Sequence, residues 1–305
     1  MLAVTILLVA LGGTAGYALG YGWGGIVFAL VLSAILAASS YFGGDRLVLA
    51  ASAAKEIDRA NPPDEYQQLM NVVEEMRLAS GLPQPRVYLI DDTAPNAFAT
   101  GRDPKHASLA VTTGLVHKMD REELQGVVAH EMSHVRNLDI RFMLLIGVMV
   151  GSIALLADWF LRISFWSGVG GRRRGSSSEG GGGAMAVVAI VALLLSIISP
   201  IIGRMVMLAA SRRRESLADV SAVELTRNPM GLAHALRAIA DDPEVLEVAN
   251  KATQHLYIVN PIKSFEDRAR SMWDTHPPIG ERIRVLEQLA GASNAPTGEI
   301  AGSSS

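Results

Sequence analysis

The first 44 residues of the chain contain no charged side chain, and the earliest charge is Asp45. A helix needs about 20 consecutive apolar residues to cross a bilayer, so this stretch predicts two membrane-spanning helices, at Leu2–Leu19 and Gly24–Phe42. A cleaved signal peptide fits less well, because a basic start is missing and a second apolar segment follows at once. We therefore expect an integral membrane protein.

Two further apolar segments follow in the middle of the chain, at 142–161 and 180–203. The later one contains no charge and is long enough to span a bilayer. The earlier one is interrupted by Asp158 and is a short span, a partial insertion or a buried core helix. Between them lies a loop rich in Gly, Ser and Arg, whose Arg172–Arg174 run either binds anionic lipid headgroups or is a solvated charge run.

The distribution of basic residues predicts on which side of the membrane the soluble part lies, because Lys and Arg near membrane segments favour the cytoplasm. Nine of them flank the predicted soluble regions, between Arg46 and Arg214, against the three in the loop. The soluble part and both termini are therefore expected in the cytoplasm. The net charge of −3 leaves no overall basic surface for nucleic acid, and the absence of cysteine excludes a thiol nucleophile and a Cys-ligated metal.

The predicted soluble regions contain short strands among amphipathic helices, which is the pattern of a small α+β unit. Three strands are predicted, at 86–90, 96–100 and 107–112. Helices are predicted at 64–80, 121–137, 205–226, 229–241 and 279–289. Gly81 is expected to end the first of these helices, and Asp120 is expected to cap the second.

The helix predicted at 121–137 carries the chemistry, because His130, Glu131 and His134 form an HExxH pattern. Residues four apart share one helical face, so both imidazoles reach one metal ion, and Glu131 projects toward a metal-bound water. Zinc accepts two imidazoles and a carboxylate and keeps one position open for water. The metal lowers the pKa of the water and polarises a carbonyl, and the glutamate takes the proton. The alternative without a metal site is an ordinary helix with two exposed histidines.

A third ligand is needed, and Glu215 is the best candidate. Asp219 follows it by four positions on the same helical face, which suits a carboxylate that hydrogen-bonds a ligating imidazole. The alternative is an acidic helix face that neutralises neighbouring arginines, and the rivals for third ligand are Glu224 and His234. The fold must then bring together two helices that lie 85 positions apart, as His130 and Glu215 do.

Four stretches of the sequence resemble the HtpX-type membrane metalloproteases, which are related to the CAAX prenyl proteases; the stretches are Pro95–Gly101, Gly126–Asp139, Ser211–Thr226 and Thr275–Ile283. The resemblance implies that His130, His134 and Glu215 bind one zinc ion per chain. It also implies that Glu131 is the general base and that Asp219 supports a ligand. By resemblance, the protein is a zinc endopeptidase that degrades misfolded or damaged membrane proteins, in stress-related quality control, at a bacterial cytoplasmic (inner) membrane.

Two of these stretches suggest substrate contacts. Asn96 and Phe98 lie in a segment that resembles the edge strand that metalloproteases lay beside the substrate, although Asn96 is equally a turn-former. His276 is a candidate to stabilise the oxyanion, with Arg282 six residues later. The alternative is that His276 and Arg282 anchor the last helix.

The fold class expected from these observations is a mainly α membrane protein with a small α+β zincin-like metalloprotease domain. Its five regions are two transmembrane helices (1–44), the first part of the catalytic domain with the HExxH helix (45–141), a second hydrophobic helix pair with its loop (142–210), the second part of the catalytic domain (211–290) and a disordered tail (291–305). The expected partners are the lipid bilayer and unfolded or membrane protein substrates.

Three other functions compete with this one. A zinc-binding scaffold without turnover is disfavoured by an intact Glu131, and a transporter is disfavoured by the polar character of the HExxH helix. A protease of prenylated peptides would be expected to have more membrane helices than the four candidates here.

Overall fold

The structure is a computed structural model that describes residues 6, 9–10, 12–14, 23–143, 182–244 and 278–293. Its helices are α1 (Trp23–Ala51), α2 (Gln67–Ser80), α3 (Thr113–Lys118), α4 (Arg121–Arg136), α5 (Gly182–Thr226), α6 (Pro229–Asp241) and α7 (Ile279–Ser293). Its strands are β1 (Lys55–Glu56), β2 (Arg86–Ile90), β3 (Ala97–Thr100) and β4 (Ser108–Thr112). The expectation of a mainly helical chain with a small sheet is confirmed. Most of the predicted spans at 2–19 and 142–161 lie outside the described residues, as do residues 294–305 of the predicted tail. The first three residues of that tail belong to α7 instead.

The four strands form one mixed sheet in the order β1–β2–β4–β3. β2 and β4 are parallel, whereas β1 and β3 run antiparallel to their neighbours. Because β3 is last in the order, it is an edge strand. Alternate side chains enter different cores, as the pleat requires: Leu109 and Val111 of β4 pack with the helices, and Ala110 packs with Phe98 and the end of α1 around Leu49. The sheet is therefore covered on both faces.

Helix α4 has a sharply defined start and stop. Asp120 accepts a hydrogen bond from the Glu123 amide at 2.9 Å, and Glu123 accepts one from the Asp120 amide at 2.9 Å, which is a complete capping box. The helix ends at Arg136. Leu138 then takes a left-handed conformation with φ of 59°, and helical backbone resumes at Asp139. A leucine in this conformation costs about 1–2 kcal/mol, so the surrounding contacts must favour the turn.

Helices α4 and α6 approach closely at two glycines. A Cβ atom at Gly126 would lie 2.6 Å from the Leu232 amide nitrogen, and one at Gly231 would lie 2.7 Å from the Glu122 carbonyl oxygen. No side chain fits either position without movement of backbone. This contact, together with Leu124, fixes α4 in the middle of the main core, which also receives side chains from α2, the sheet, α5 and α7.

Helix α5 runs without interruption for 45 residues, a length of about 68 Å. Its side chains between Ile190 and Met205 include many exposed apolar ones, whereas Glu215, Ala218 and Asp219 are buried. The predicted segment Gly24–Phe42 is likewise helical, within α1. Among the described residues, none of the helices combines the length and the apolarity needed to cross a membrane.

Candidate metal centre

Three side chains converge where α4 crosses α5. The Nε2 atoms of His130 and His134 lie 3.2 Å apart. One carboxylate oxygen of Glu215 lies 3.5 Å from the first nitrogen, and its other oxygen lies 3.5 Å from the second. The structure thus brings together the two motif histidines and the acid expected to join them, and among the residues it describes this is the group suited to hold a metal ion.

The spacing of these three donors fits a small tetrahedral ion. Zinc binds imidazole nitrogen at about 2.0–2.1 Å and carboxylate oxygen at about 2.0–2.2 Å, so neighbouring ligand atoms of a tetrahedral site lie about 3.3–3.5 Å apart. The observed separations of 3.2 and 3.5 Å match this edge length. Two imidazoles and one carboxylate also leave one tetrahedral position for water, which is the donor set of a catalytic rather than a structural zinc site.

The second nitrogen of His130 is held by a buried ion pair. His130 Nδ1 lies 2.9 Å from an oxygen of Asp219. The guanidinium of Arg282, on α7, donates to both oxygens of Asp219, at 2.9 and 2.7 Å. Burial alone would raise the pKa of Asp219, but the charge of Arg282 and the bond from His130 outweigh it and lower the pKa to about 2. Asp219 is therefore an ionised acceptor for Nδ1, and the contact turns the ring so that Nε2 faces His134 and Glu215.

The second nitrogen of His134 has a similar partner that the sequence analysis did not identify. His134 Nδ1 lies 3.1 Å from an oxygen of Asp139, whose other oxygen accepts a hydrogen bond from Arg214. Asp139 lies beyond the end of α4, so helical spacing gives no reason to pair it with His134. The left-handed conformation of Leu138 turns the chain so that Asp139 lies beside His134.

Glu131 is buried beside the metal ligands and held by the edge of the sheet. One of its carboxylate oxygens accepts a hydrogen bond of 2.8 Å from the Ala99 amide of β3. Burial raises the pKa of Glu131 above its ordinary value, although the neighbouring histidines and this amide oppose the shift. A carboxylate with a raised pKa is a better proton acceptor, as general bases in enzymes usually are.

The side chains expected to contact substrate are placed differently from one another. Asn96 is buried, and its Oδ1 accepts a hydrogen bond of 3.0 Å from the Ala97 amide. Phe98 is fully buried on the far face of the sheet, so only its backbone is near the edge. Arg282 is also buried, where it donates to Asp219 and lies 3.6 Å from an oxygen of Glu215. His276 lies outside the described residues.

The rival third ligands lie away from the centre. Glu224 is exposed and pairs with Arg136 at 3.7 Å. His234 is exposed on α6. Neither side chain faces the motif histidines, because both lie on other faces of their helices.

The sequence matches peptidase family M48 over residues 63–290, which includes every residue of the centre. It is similar along most of its length to proteins named protease HtpX homolog. The identity is 42% over 271 residues with the protein from Caldanaerobacter subterraneus subsp. tengcongensis, covering 88% of this chain and 87% of the relative. It is 42% over 294 residues with the protein from Lactiplantibacillus plantarum, covering 95% of each chain.

The fold is similar to that of the crystal structure of S. mikatae Ste24p. The TM-score is 0.52 at 18% sequence identity, and the match covers 87% of this chain and 58% of that chain. At this level of identity, the likeness concerns the fold alone.

Proposed function

Because the chain belongs to peptidase family M48, we propose that it is a zinc-dependent endopeptidase of a bacterial inner membrane that degrades misfolded or damaged membrane proteins. The single observation that carries the proposal is the cluster of His130, His134 and Glu215 with Glu131 beside it. Two imidazoles, one carboxylate and an adjacent buried base are the groups needed for metal-assisted hydrolysis of a peptide bond.

His130, His134 and Glu215 are proposed to hold the zinc ion, which when bound would polarise the scissile carbonyl and make water more acidic. Glu131 then takes the proton from the attacking water and passes it to the leaving amine. The Ala99 amide keeps one oxygen of Glu131 fixed, which leaves the other oxygen for this transfer. Asp219 contacts Nδ1 of His130 and so orients that ring.

The edge of β3 is proposed to bind the substrate as an added strand. An extended peptide can pair with the backbone of an exposed edge, which gives affinity without much dependence on side chains. That property suits a protease of unfolded proteins, whose sequences vary. Asn96 and Phe98 are themselves buried, so their side chains would add no contact to such a peptide. Cleavage would occur near Ala99, where Glu131 meets the strand.

Membrane attachment is supported by the apolar side chains that α1 and the first part of α5 expose. Helix α1 exposes Trp23, Val27, Phe28, Leu30, Val31, Ile35 and Phe42. Helix α5 exposes Ile190, Val191, Leu193, Leu194, Ile197, Ile198, Ile201, Ile202 and Met205. Apolar surfaces of this size are costly in water and are typical of membrane or protein contacts. The catalytic part is proposed to face the cytoplasm, because basic residues flank it.

Replacement of the base tests the mechanism. Glu131→Gln keeps the size of the side chain but cannot take a proton, so casein cleavage should fall by about 10²–10⁴-fold while zinc content stays near one per chain. The measurement is cleavage by detergent-purified, zinc-loaded protein, with metal content determined on the same sample. A chelator should stop the wild-type reaction, and added zinc should restore it.

Two matched substitutions complete this test. Glu215→Gln should lower zinc content and cleavage together, whereas Glu224→Gln, on the exposed face of α5, should change neither. Undiminished cleavage by Glu131→Gln would contradict the mechanism. Zinc binding by a wild-type protein that cleaves no unfolded or membrane substrate would favour the scaffold function instead.

The orientation is tested by labelling, because the chain has no native cysteine. Single cysteines at Ser80 and Ser303 should react with a membrane-impermeant reagent only after the cells are opened. A cysteine at Ser177 reports on the middle apolar pair, since it is outside if that pair spans the bilayer. Labelling of Ser80→Cys in intact cells would overturn the cytoplasmic orientation.

A further inference from the structure

The turn after α4 aims one carboxylate at the HExxH helix. In a continuous helix, a residue five positions after His134 would lie on another face. The left-handed Leu138 breaks the helix and redirects the chain, and Asp139 then lies 3.1 Å from His134 Nδ1. Leu138 is itself 41% exposed, so packing of its side chain accounts for only part of the unfavourable conformation. The contacts of Asp139 are the structural gain that accompanies it.

The contact with Asp139 determines which nitrogen of His134 faces the centre. Asp139 is almost completely buried, and its other oxygen accepts a hydrogen bond from Arg214. The 3.1 Å contact between Nδ1 and the carboxylate of Asp139 holds the imidazole ring of His134 in one orientation. In that orientation, Nε2 faces His130 and Glu215.

Arg214 connects this support to a second stretch of chain. It precedes Glu215 on α5, and neighbouring helical residues project about 100° apart, so Glu215 faces the histidines while Arg214 faces Asp139. The guanidinium carbon also lies 3.9 Å from the centre of the Phe142 ring. The same ion pair thus fixes the orientation of His134 on α4 and the rotation of α5 that points Glu215 at the centre.

We propose that Asp139 is a positioning residue for His134 and that Arg214 holds Asp139 in this role. The proposal rests on the proposed function in one respect, because it takes His134 and Glu215 as metal ligands. The consequence concerns metal affinity: without Asp139, the ring of His134 is free to rotate, and its Nε2 atom is presented to a metal for only part of the time. Groups that support metal ligands in this way typically contribute about 10–100-fold to affinity.

The test measures zinc affinity, by competition with a chromophoric chelator in detergent solution. Asp139→Ala should weaken zinc binding by about 10–100-fold. Asp139→Asn keeps an oxygen for the Nδ1 proton but loses the charge that pairs with Arg214, so its affinity should be intermediate. Arg214→Lys, which restores a positive charge, should bind zinc more tightly than Arg214→Ala. The thermal unfolding midpoint of each variant in chelator identifies any that fail to fold, and Asp139→Asn serves if Asp139→Ala is among them.

The matched control is Arg136→Ala. Arg136 pairs with Glu224 across the same two helices but on their exposed face, away from the histidines, so zinc affinity should stay within about twofold of wild type. An unchanged affinity in both Asp139 variants would overturn the proposal, and so would an equal loss in Arg136→Ala, which would indicate general loosening of α4 against α5. Affinity is measured without substrate, so inactive but zinc-binding wild-type protein would contradict the protease function while leaving this proposal standing. Full zinc binding by Glu215→Gln would instead contradict the ligand set.

Discussion

The two motif histidines are supported by the same chemistry in different surroundings. Each offers Nδ1 to an aspartate, and each aspartate is paired with an arginine. On the His130 side, the side chains of Asp219 and Arg282 are only 6% and 3% exposed. On the His134 side, Asp139 is as deeply buried, but the side chain of Arg214 is 30% exposed.

This difference predicts which property each pair controls. A charge left alone in the interior has no water to replace its partner, so loss of a buried partner destabilises the fold. A partly exposed arginine can be replaced by water at a smaller cost. We therefore expect the Arg282 pair to matter most for stability, and the Arg214 pair to matter more for the presentation of its histidine than for the fold.

The largest effect is expected for Arg282→Met. The methionine fills a similar volume but leaves Asp219 ionised and without its guanidinium, so the free energy of unfolding should fall by about 3–5 kcal/mol. Urea titration of the detergent-purified protein measures this change. Arg284→Met is the matched control, because Arg284 is exposed on the same helix, and its effect should stay within about 0.5 kcal/mol. Equal losses in the two variants would show that the buried pair has no special role.

A smaller effect is expected for the same substitution on the other side of the centre. Arg214→Met should lower the free energy of unfolding by about 1–2 kcal/mol, between the values typical of surface and buried pairs. The same urea titration applies, with Arg282→Met measured alongside. A larger loss of unfolding free energy for Arg214→Met than for Arg282→Met would show that exposure of the arginine does not determine how much each ion pair stabilises the fold.

The smallest effect is expected at the turn, and it is a gain. Asparagine adopts the left-handed conformation more readily than leucine, so Leu138→Asn should stabilise the protein by about 0.5–1 kcal/mol. Zinc affinity should be unchanged, because Asp139 keeps its place. Leu78→Asn serves as control, since Leu78 is an exposed leucine within α2 and has no unusual backbone. Destabilisation by Leu138→Asn would mean that contacts of the leucine side chain, rather than those of Asp139, maintain the turn.

Much of the scaffold could be predicted from local sequence. The strands at Arg86–Ile90 and Ser108–Thr112 and the helix at Pro229–Asp241 follow from periodicity and end signals. The capping of α4 by Asp120 also follows, because side-chain capping is a local interaction. By contrast, β1 has two residues and α3 has six, which is too short for periodicity to give a signal.

The metal centre could be predicted only in part, because only the local spacing of residues gives a signal in the sequence. HExxH spacing places two imidazoles on one face, and the four-residue spacing of Glu215 and Asp219 does the same for two carboxylates. The partner of His134 depends on a left-handed leucine, which no residue preference favours. The partner of Asp219 depends on the docking of α7, which brings Arg282 from a distant part of the chain. Such contacts are set by tertiary packing rather than by spacing.

Asp139 and Arg214 lie 75 positions apart along the chain, so the groups of the metal centre are synthesised at different times. At synthesis rates of about 5–20 residues per second, Arg214 leaves the ribosome about 4–15 s after Asp139. During that interval the nascent chain already holds both histidines and Glu131 but lacks Glu215. The carboxylate that completes the centre therefore arrives only after the whole apolar middle of the chain has been made. A chain that stalls in that segment carries an incomplete set of metal ligands. The order of synthesis therefore delays the moment at which this protein can first cleave another protein.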